Sequence, residues 1–308
     1  MTVNRPYNQR LPLWGAAFTS LLCILFGANA VAIKMTLSGL GVFTTAGLRF
    51  GIAAIVIFIW AKATGRSFII RNGQFPQLLI ISVIFILQLS ILYLGLKHTD
   101  ASRATLLINL QPFFVMFLAH YFIPGDRITR RKIVGLIMGF AGMAFVVLGE
   151  GVSPDVETGD LLILATAFLW ACNATYTKKV IDSFDPFQVV FYPMILSVPF
   201  FFVGALLWDE TMIARVDQRI LGSLVYQSLV TASFGFVAWN HLLQRYGAVA
   251  LHSFIFLMPV AGVMLGGLVL GEPITFNILV ATSLIVSGIV VVNLKTAEYA
   301  PIFPQRGL

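Results

Sequence analysis

The side chains able to do chemistry in this chain of 308 residues are few, and several come in matched pairs. Asn29 stands in Ala28-Asn29-Ala30-Val31-Ala32-Ile33-Lys34, and Asn173 stands in Cys172-Asn173-Ala174-Thr175-Tyr176-Thr177-Lys178. Phe43 then recurs as Phe187 at the same offset, and Leu110-Gln111-Pro112 answers Leu257-Met258-Pro259. Gly125-Asp126-Arg127-Ile128-Thr129 answers Gly271-Glu272-Pro273-Ile274-Thr275, and Gly142 lines up with Gly288. Matches in one order at a nearly constant offset mark a duplicated unit, with copies over 13–150 and 160–295. An amide both donates and accepts hydrogen bonds. Asn29 and Asn173 therefore suit either polar groups of a solute or bonds that lock one helix to another.

Other candidates lie inside apolar runs. Arg49 is an ionised group within the second run, where a charge costs roughly 3 kcal/mol on insertion scales. It reads as a gate or anchor that snorkels or pairs with Asp100 or another carboxylate, or as a direct ligand for a substrate carboxylate. Pro112 and Pro259 sit near the middle of their runs, where proline removes a backbone donor and kinks a helix. The freed carbonyl can meet a ligand or water, or the kink can serve packing alone. Asn109 and Gln111 beside Pro112 tilt that position toward a cavity. Lys34 and Lys178 close their helices, where the dipole and the interface favour a cation, and read as anchors. Gln88, Tyr93, Trp170, Tyr176, Gln227 and His252 complete the candidate substrate-binding set, and Trp170 near mid-span could stack on an apolar part of a solute. Twenty-seven Phe residues mean that most aromatics face lipid or core, so they say nothing about an aromatic substrate.

Several chemistries are excluded. The four histidines, His98, His120, His241 and His252, lack metal-ligand spacing, and no phosphate-cradling loop is present, so neither a metal nor a nucleotide cofactor is expected. No catalytic residue is assigned, because no pair of carboxylates lies at mid-span to act as acid and base. Asp100, Asp126 and Glu272 are terminal to their spans, so movement driven by a substrate gradient or by exchange is expected over proton coupling. Cys23 and Cys172 fall inside apolar runs and read as packing residues.

The elements that must position these groups are membrane spans. The chain is 58% hydrophobic and only 11% charged, where a soluble domain carries about a quarter charged residues. Its mean hydropathy is +0.91. Apolar runs cover 13–33, 43–61, 75–96, 104–122, 133–148, 161–177, 187–208, 220–241, 248–270 and 276–294, joined by short turns. The first, Leu13 to Ile33, is long enough to cross a bilayer and is expected to be a span, not a removed leader. The fold class is thus an all-α membrane protein of ten transmembrane helices.

Orientation follows from the basic residues. With the N-terminus inside, fourteen fall on cytoplasmic segments: Arg5, Arg10, Lys62, Arg66, Arg71, Arg127, Arg130, Arg131, Lys132, Lys178, Lys179, Arg245, Lys295 and Arg306. Five fall outside: Lys34, Lys97, Arg103, Arg215 and Arg219. Both termini are expected in the cytoplasm, with the acidic Glu150–Asp160 loop outside. Five spans per copy is odd, so the second copy enters from the opposite face and the repeats are inverted, a known route to alternating access. The net charge of +7 belongs to these joints and not to a nucleic-acid surface.

Taken together, these residues resemble the EamA-type transporters of the drug/metabolite transporter superfamily over almost the full length. The resemblance is carried by Trp14-Gly15, Phe26-Gly27-Ala28-Asn29 and Lys34, then Leu48-Arg49-Phe50 and Tyr93-Leu94-Gly95-Leu96-Lys97. It continues through Gln111-Pro112-Phe113, Pro259 and Gly271-Glu272-Pro273-Ile274. One departure is Gly125-Asp126-Arg127 where the family has Gly-Glu-Arg, which keeps the carboxylate. The resemblance implies an inner (plasma) membrane permease that exports or exchanges small organic metabolites, with amino acids or their derivatives as the first expectation. Its partners would be a small-molecule substrate and the lipid bilayer, as a monomer or homodimer. A sugar-phosphate or nucleotide-sugar antiporter is the alternative within transport, and a membrane-embedded lipid-modifying enzyme the alternative outside it.

Overall fold

The computed structural model describes residues 11–96, 98, 104, 107–148, 158–261, 264 and 276–293. In lipid every backbone donor and acceptor must be satisfied within its own segment, and helices do this. The described chain accordingly folds into helices: α1 Leu13–Leu37, α2 Val42–Ala63, α3 Phe75–Leu96, α4 Gln111–Phe122 and α5 Arg130–Leu148. They continue as α6 Thr158–Val180, α7 Pro186–Trp208, α8 Gln218–Arg245, α9 Ala248–Ala261 and α10 Phe276–Asn293. Among the described residues the β pairing is an isolated antiparallel bridge, Leu40 with Ile213.

Six of these helices, α1, α2, α3, α6, α7 and α8, are long and apolar enough to cross a membrane. The ten spans expected from the sequence are therefore matched in part among the described residues, and a break before Pro112 accounts for some of the difference. The sequence predicts a kinked helix through Pro112. The structure instead turns at Asn109–Leu110 and restarts at Gln111, with Pro112 in the first turn of α4. Twelve residues of α-helix reach only about 18 Å, well short of a hydrocarbon core of roughly 30 Å. The α9 segment is likewise interrupted by a 3₁₀ turn, Ser253–Phe256, shortly before Pro259. Pro112 stands where a helix start leaves a backbone N–H unneeded, and before Pro259 the helix tightens into a 3₁₀ turn, so neither proline sits in a smooth bend.

Helix ends are set by local chemistry. Asp185 opens α7 with a reciprocal cap: its carboxylate accepts from the Phe187 N–H, and the Gln188 side chain accepts from the Asp185 N–H. Asp217 opens α8 by accepting from the Ile220 N–H at 2.9 Å. Gly125 takes φ +81° in the turn between α4 and α5, a conformation that a side chain would strain.

Packing runs between the two sequence halves. α2 lies on α7, α3 on α6 and α7, α1 on α8, α2 on α8, α4 on α6 and α9, and α5 on α10. The α5–α10 contact is a close one. A methyl added at Gly288 would sit 2.5 Å from the Gly135 carbonyl oxygen and 2.7 Å from the Gly139 nitrogen, so small residues let the two backbones touch. The two larger apolar clusters fill most of the interior. One joins α2, α3, α7 and α8 through Phe43, Phe50, Phe85, Met194 and Phe201. The other joins α1, α4, α5, α9 and α10 through Leu22, Val115, Met143, Phe256 and Ile285.

Candidate functional site

Inside this apolar bundle the polar side chains gather at three places. The first lies between α1, α2 and α8. Its scaffold is the centre of α8, where Tyr226–Gly235 is π-helical and buries Gln227, Ser228, Thr231 and Ser233. π-Helical stretches are rare and frequent at functional sites, because one extra residue per turn re-aims side chains. Gln227 Nε2 donates to the Ala32 carbonyl at 3.2 Å and to Thr36 Oγ1 at 2.6 Å. Thr231 Oγ1 lies 2.9 Å from Asn29 Oδ1 and 2.7 Å from the Gln227 carbonyl, and its single proton can serve only one of them. Arg49 Nη2 approaches the same hydroxyl from α2 at 3.4 Å.

Arg49 is the uncompensated member. Its side chain is 7% exposed, its guanidinium lies 5.0 Å from the Phe50 ring centre, and its Nε has no hydrogen-bond partner. No carboxylate pairs with it among the described residues; Asp100 lies outside them. Taking such an ion out of water costs several kcal/mol even after relaxation. One well-formed charge-assisted hydrogen bond returns only about 1.5–3 kcal/mol, and 3.4 Å is long for one. Stability alone does not explain this residue. Thr45 Oγ1, one turn before Arg49, and Gln227 Oε1, one turn before Thr231, are also buried without partners.

The second place lies between α6 and α3, where Asn173 Nδ2 reaches the Ile81 carbonyl at 3.5 Å and Thr177 Oγ1 donates to Asn173 Oδ1 at 3.2 Å. Asn29 on α1 faces α8, and Asn173 on α6 faces α3, so the paired asparagines make corresponding contacts across the two halves. One turn further on, Lys178 is buried and donates to the carbonyls of Leu243 at 2.7 Å and Gln244 at 3.3 Å. It ties the end of α6 to the end of α8. The corresponding side chain of Lys34 lies outside the described residues.

The third place comprises the joints at the ends of the bundle. At one end the α1–α2 and α7–α8 joints are zipped together: Gly41 N donates to Met212 O at 3.0 Å, and Ala214 N and Arg215 N donate to Gly39 O at 2.9 and 3.1 Å. Asp209, at the end of α7, closes this zip by capping α2. Its oxygens accept from Phe43 N at 3.1 Å, Thr44 N at 2.8 Å and Thr44 Oγ1 at 2.8 Å. At the opposite end Arg66 meets Asp185 at 3.1 Å, and Tyr192 Oη donates to Phe68 O at 2.6 Å. There Asp126 accepts from Lys132 Nζ at 2.5 Å and from Val249 N, at the start of α9, at 3.2 Å. Each end is therefore bridged by a carboxylate of one half that caps a helix of the other.

The remaining sequence candidates are spread out. Gln88 is buried on α3 with Oε1 unpartnered, and Gln111 is buried at the start of α4 with Nε2 unpartnered. Asn109 is buried in the turn before it. Tyr93 packs edge-on against Phe43, 5.6 Å between ring centres, within electrostatic reach of Arg49 and Asp209. Tyr176 joins an apolar cluster with Leu78, Ile181 and Phe184, and Trp170 is half-buried on α6. His252 is buried, with Nδ1 2.8 Å from the Ala248 carbonyl and its ring against Trp239. Pro259 is half-buried on α9. The structure thus brings Asn29, Arg49 and Gln227 together and leaves Trp170, Tyr176 and His252 elsewhere. The sequence reading missed Thr36, Thr45, Thr231 and Asp209. Among the described residues no group of three His, Cys, Asp or Glu could hold a metal.

A helical bundle with several spanning helices and a polar cluster within it is a multi-pass membrane protein. The profile of the EamA-like transporter family matches residues 13–148 and again 157–294, and the chain belongs to that family. It is 26% identical to an uncharacterized transporter of Archaeoglobus fulgidus, over 92% of this chain and 95% of that one. It is 28% identical to a probable amino-acid metabolite efflux pump of Salmonella typhimurium, over 87% of this chain and 91% of the other. It is 26% identical to a probable amino-acid metabolite efflux pump of Escherichia coli, over 87% of this chain and 91% of that one. A solved crystal structure superposes with a TM-score of 0.80 at 19% identity, covering 90% of this chain and 96% of that one, which shows the shared fold.

Proposed function

We propose that this chain is an inner-membrane permease, not an enzyme, that exports or exchanges small organic metabolites, amino acids or their derivatives first among them. It does so by alternating access between two inverted five-helix repeats. The observation that carries this reading is the cluster of Asn29, Arg49, Gln227 and Thr231, which places buried polar groups from both halves at one point inside apolar helices. The pattern of helix contacts supports the inverted arrangement: α1 on α8 corresponds to α6 on α3, and α2 on α8 corresponds to α7 on α3. The two separate matches to the family profile support the duplication, and the names of the Salmonella and Escherichia relatives support the substrate class. Both termini lie in the cytoplasm in this reading, so the Asp209 zip is the outer closure and the Arg66–Asp185 and Asp126 contacts are the inner one.

The test is a comparison of intracellular and extracellular metabolites between cells that produce the protein and cells that lack it. Production should lower one small set of amino-acid-like metabolites inside and raise the same set in the medium. Metabolites that are chemically altered, with no shift between compartments, would instead indicate an enzyme.

A further inference from the structure

Arg49 is buried inside a span with no carboxylate beside it among the described residues and with its Nε unpartnered, whereas the buried Lys178 is held by two backbone carbonyls. Arginine keeps its proton in proteins, so the site cannot relieve itself by becoming neutral. The guanidinium presents a fork of donors that matches a carboxylate. Here Nη2 is spent on one long bond to Thr231 and Nε on nothing. One turn from Arg49 on α2, and one turn from its partner Thr231 on α8, stand two acceptors without donors, Thr45 Oγ1 and Gln227 Oε1. A charge and neighbouring acceptors left open in this way describe one half of a hydrogen-bonded complex.

We infer that Arg49 binds the carboxylate of the transported solute, and that Gln227 Oε1 and Thr45 Oγ1 take hydrogen bonds from a donor group next to that carboxylate. An amino acid offers both groups on adjacent atoms. The inference rests on the permease reading and names the recognition element within it. Phe50 lies beside the guanidinium and α2 packs on α8, so the site is reached when α2 and α8 separate. A merely structural arginine would instead show itself as a loss of stability on removal.

The measurement uses the purified full chain in liposomes and counterflow of two labelled pools. One holds the common amino acids, and the other holds the same compounds as α-carboxamides. Wild-type protein should exchange the acids in preference to the amides. Arg49→Met should lose acid exchange by about a hundredfold. Its melting temperature in detergent should be unchanged or higher, because an unpaired buried charge has been replaced by an apolar chain of similar length. Arg49→Lys keeps the charge but not the fork, and should fall between the two. Equal exchange of acids by Arg49→Met, or exchange of amides alone by the wild type, would overturn the inference and leave the permease standing. So would a large drop in melting temperature for both variants with no change in acid preference. Failure of the wild type to exchange either pool would count against the amino-acid permease reading, and the inference would fall with it.

Discussion

Removing the Asp209 carboxylate should open the outer end of the bundle. Asp209 accepts three bonds from the first turn of α2, from Phe43 N, Thr44 N and Thr44 Oγ1. It also places a negative charge at the positive end of the helix dipole. Loss of a helix cap costs about 0.5–2 kcal/mol, and charge-assisted bonds are worth roughly 1.5–3 kcal/mol each when fully sequestered. Asp209 is only half-buried, so water replaces part of what Asp209→Ala removes, and the sum is taken near the low end. About 2 kcal/mol corresponds to roughly a thirtyfold rise in the population with the outer joint open. Thr45 lies just beneath this cap and is buried, which makes Thr45→Cys the reporter, with Cys23 and Cys172 replaced by alanine. The rate of modification by an impermeant maleimide should rise by about thirtyfold in Asp209→Ala while opening is rapid relative to modification. It should rise less in Asp209→Asn, whose amide oxygen still accepts. An unchanged rate in Asp209→Ala would refute the assignment of this carboxylate as the outer closure.

Other consequences follow from the same geometry. Gly288→Leu should force α5 from α10 and lower stability by about 1–3 kcal/mol, read as a drop in melting temperature without a change in substrate preference. Asn29→Ala, Gln111→Ala, Asn173→Ala and Trp170→Ala should each reduce transport while leaving the amount of folded protein largely intact; normal transport by all four would mean that the path lies elsewhere. For orientation, a cysteine at exposed Thr211 should react with an impermeant reagent in intact spheroplasts, and one at exposed Thr64 only after permeabilisation; the reverse pattern would invert the topology.

Much of the architecture was legible because lipid makes the code simple. Long apolar runs must be helical, and Asn29 faces α8 as Asn173 faces α3. Arg49 stood out by charge alone. What could not be read depends on distances between spans. Thr231 is an ordinary residue in an apolar run until the π-helical turn of α8 aims it at Asn29 and Arg49. Asp209 reads as a loop acid until α7 brings it to the start of a helix more than 160 residues away in sequence. The breaks before Pro112 and Pro259 were signalled by proline, but the choice between a smooth kink and a turn depends on tertiary packing.

In the permease reading a solute crosses because the two halves separate at one end and then at the other. Leu40 and Ile213 form an antiparallel bridge between the α1–α2 and α7–α8 joints, close enough for a disulfide. A Leu40→Cys, Ile213→Cys double variant in the background without Cys23 and Cys172 should therefore allow the outer closure to be locked and released. In liposomes, counterflow of the labelled amino-acid pool should stop when this variant is oxidised and return on addition of dithiothreitol, with each single variant unaffected by either treatment. Full exchange through the oxidised, cross-linked protein would contradict alternating access at this closure.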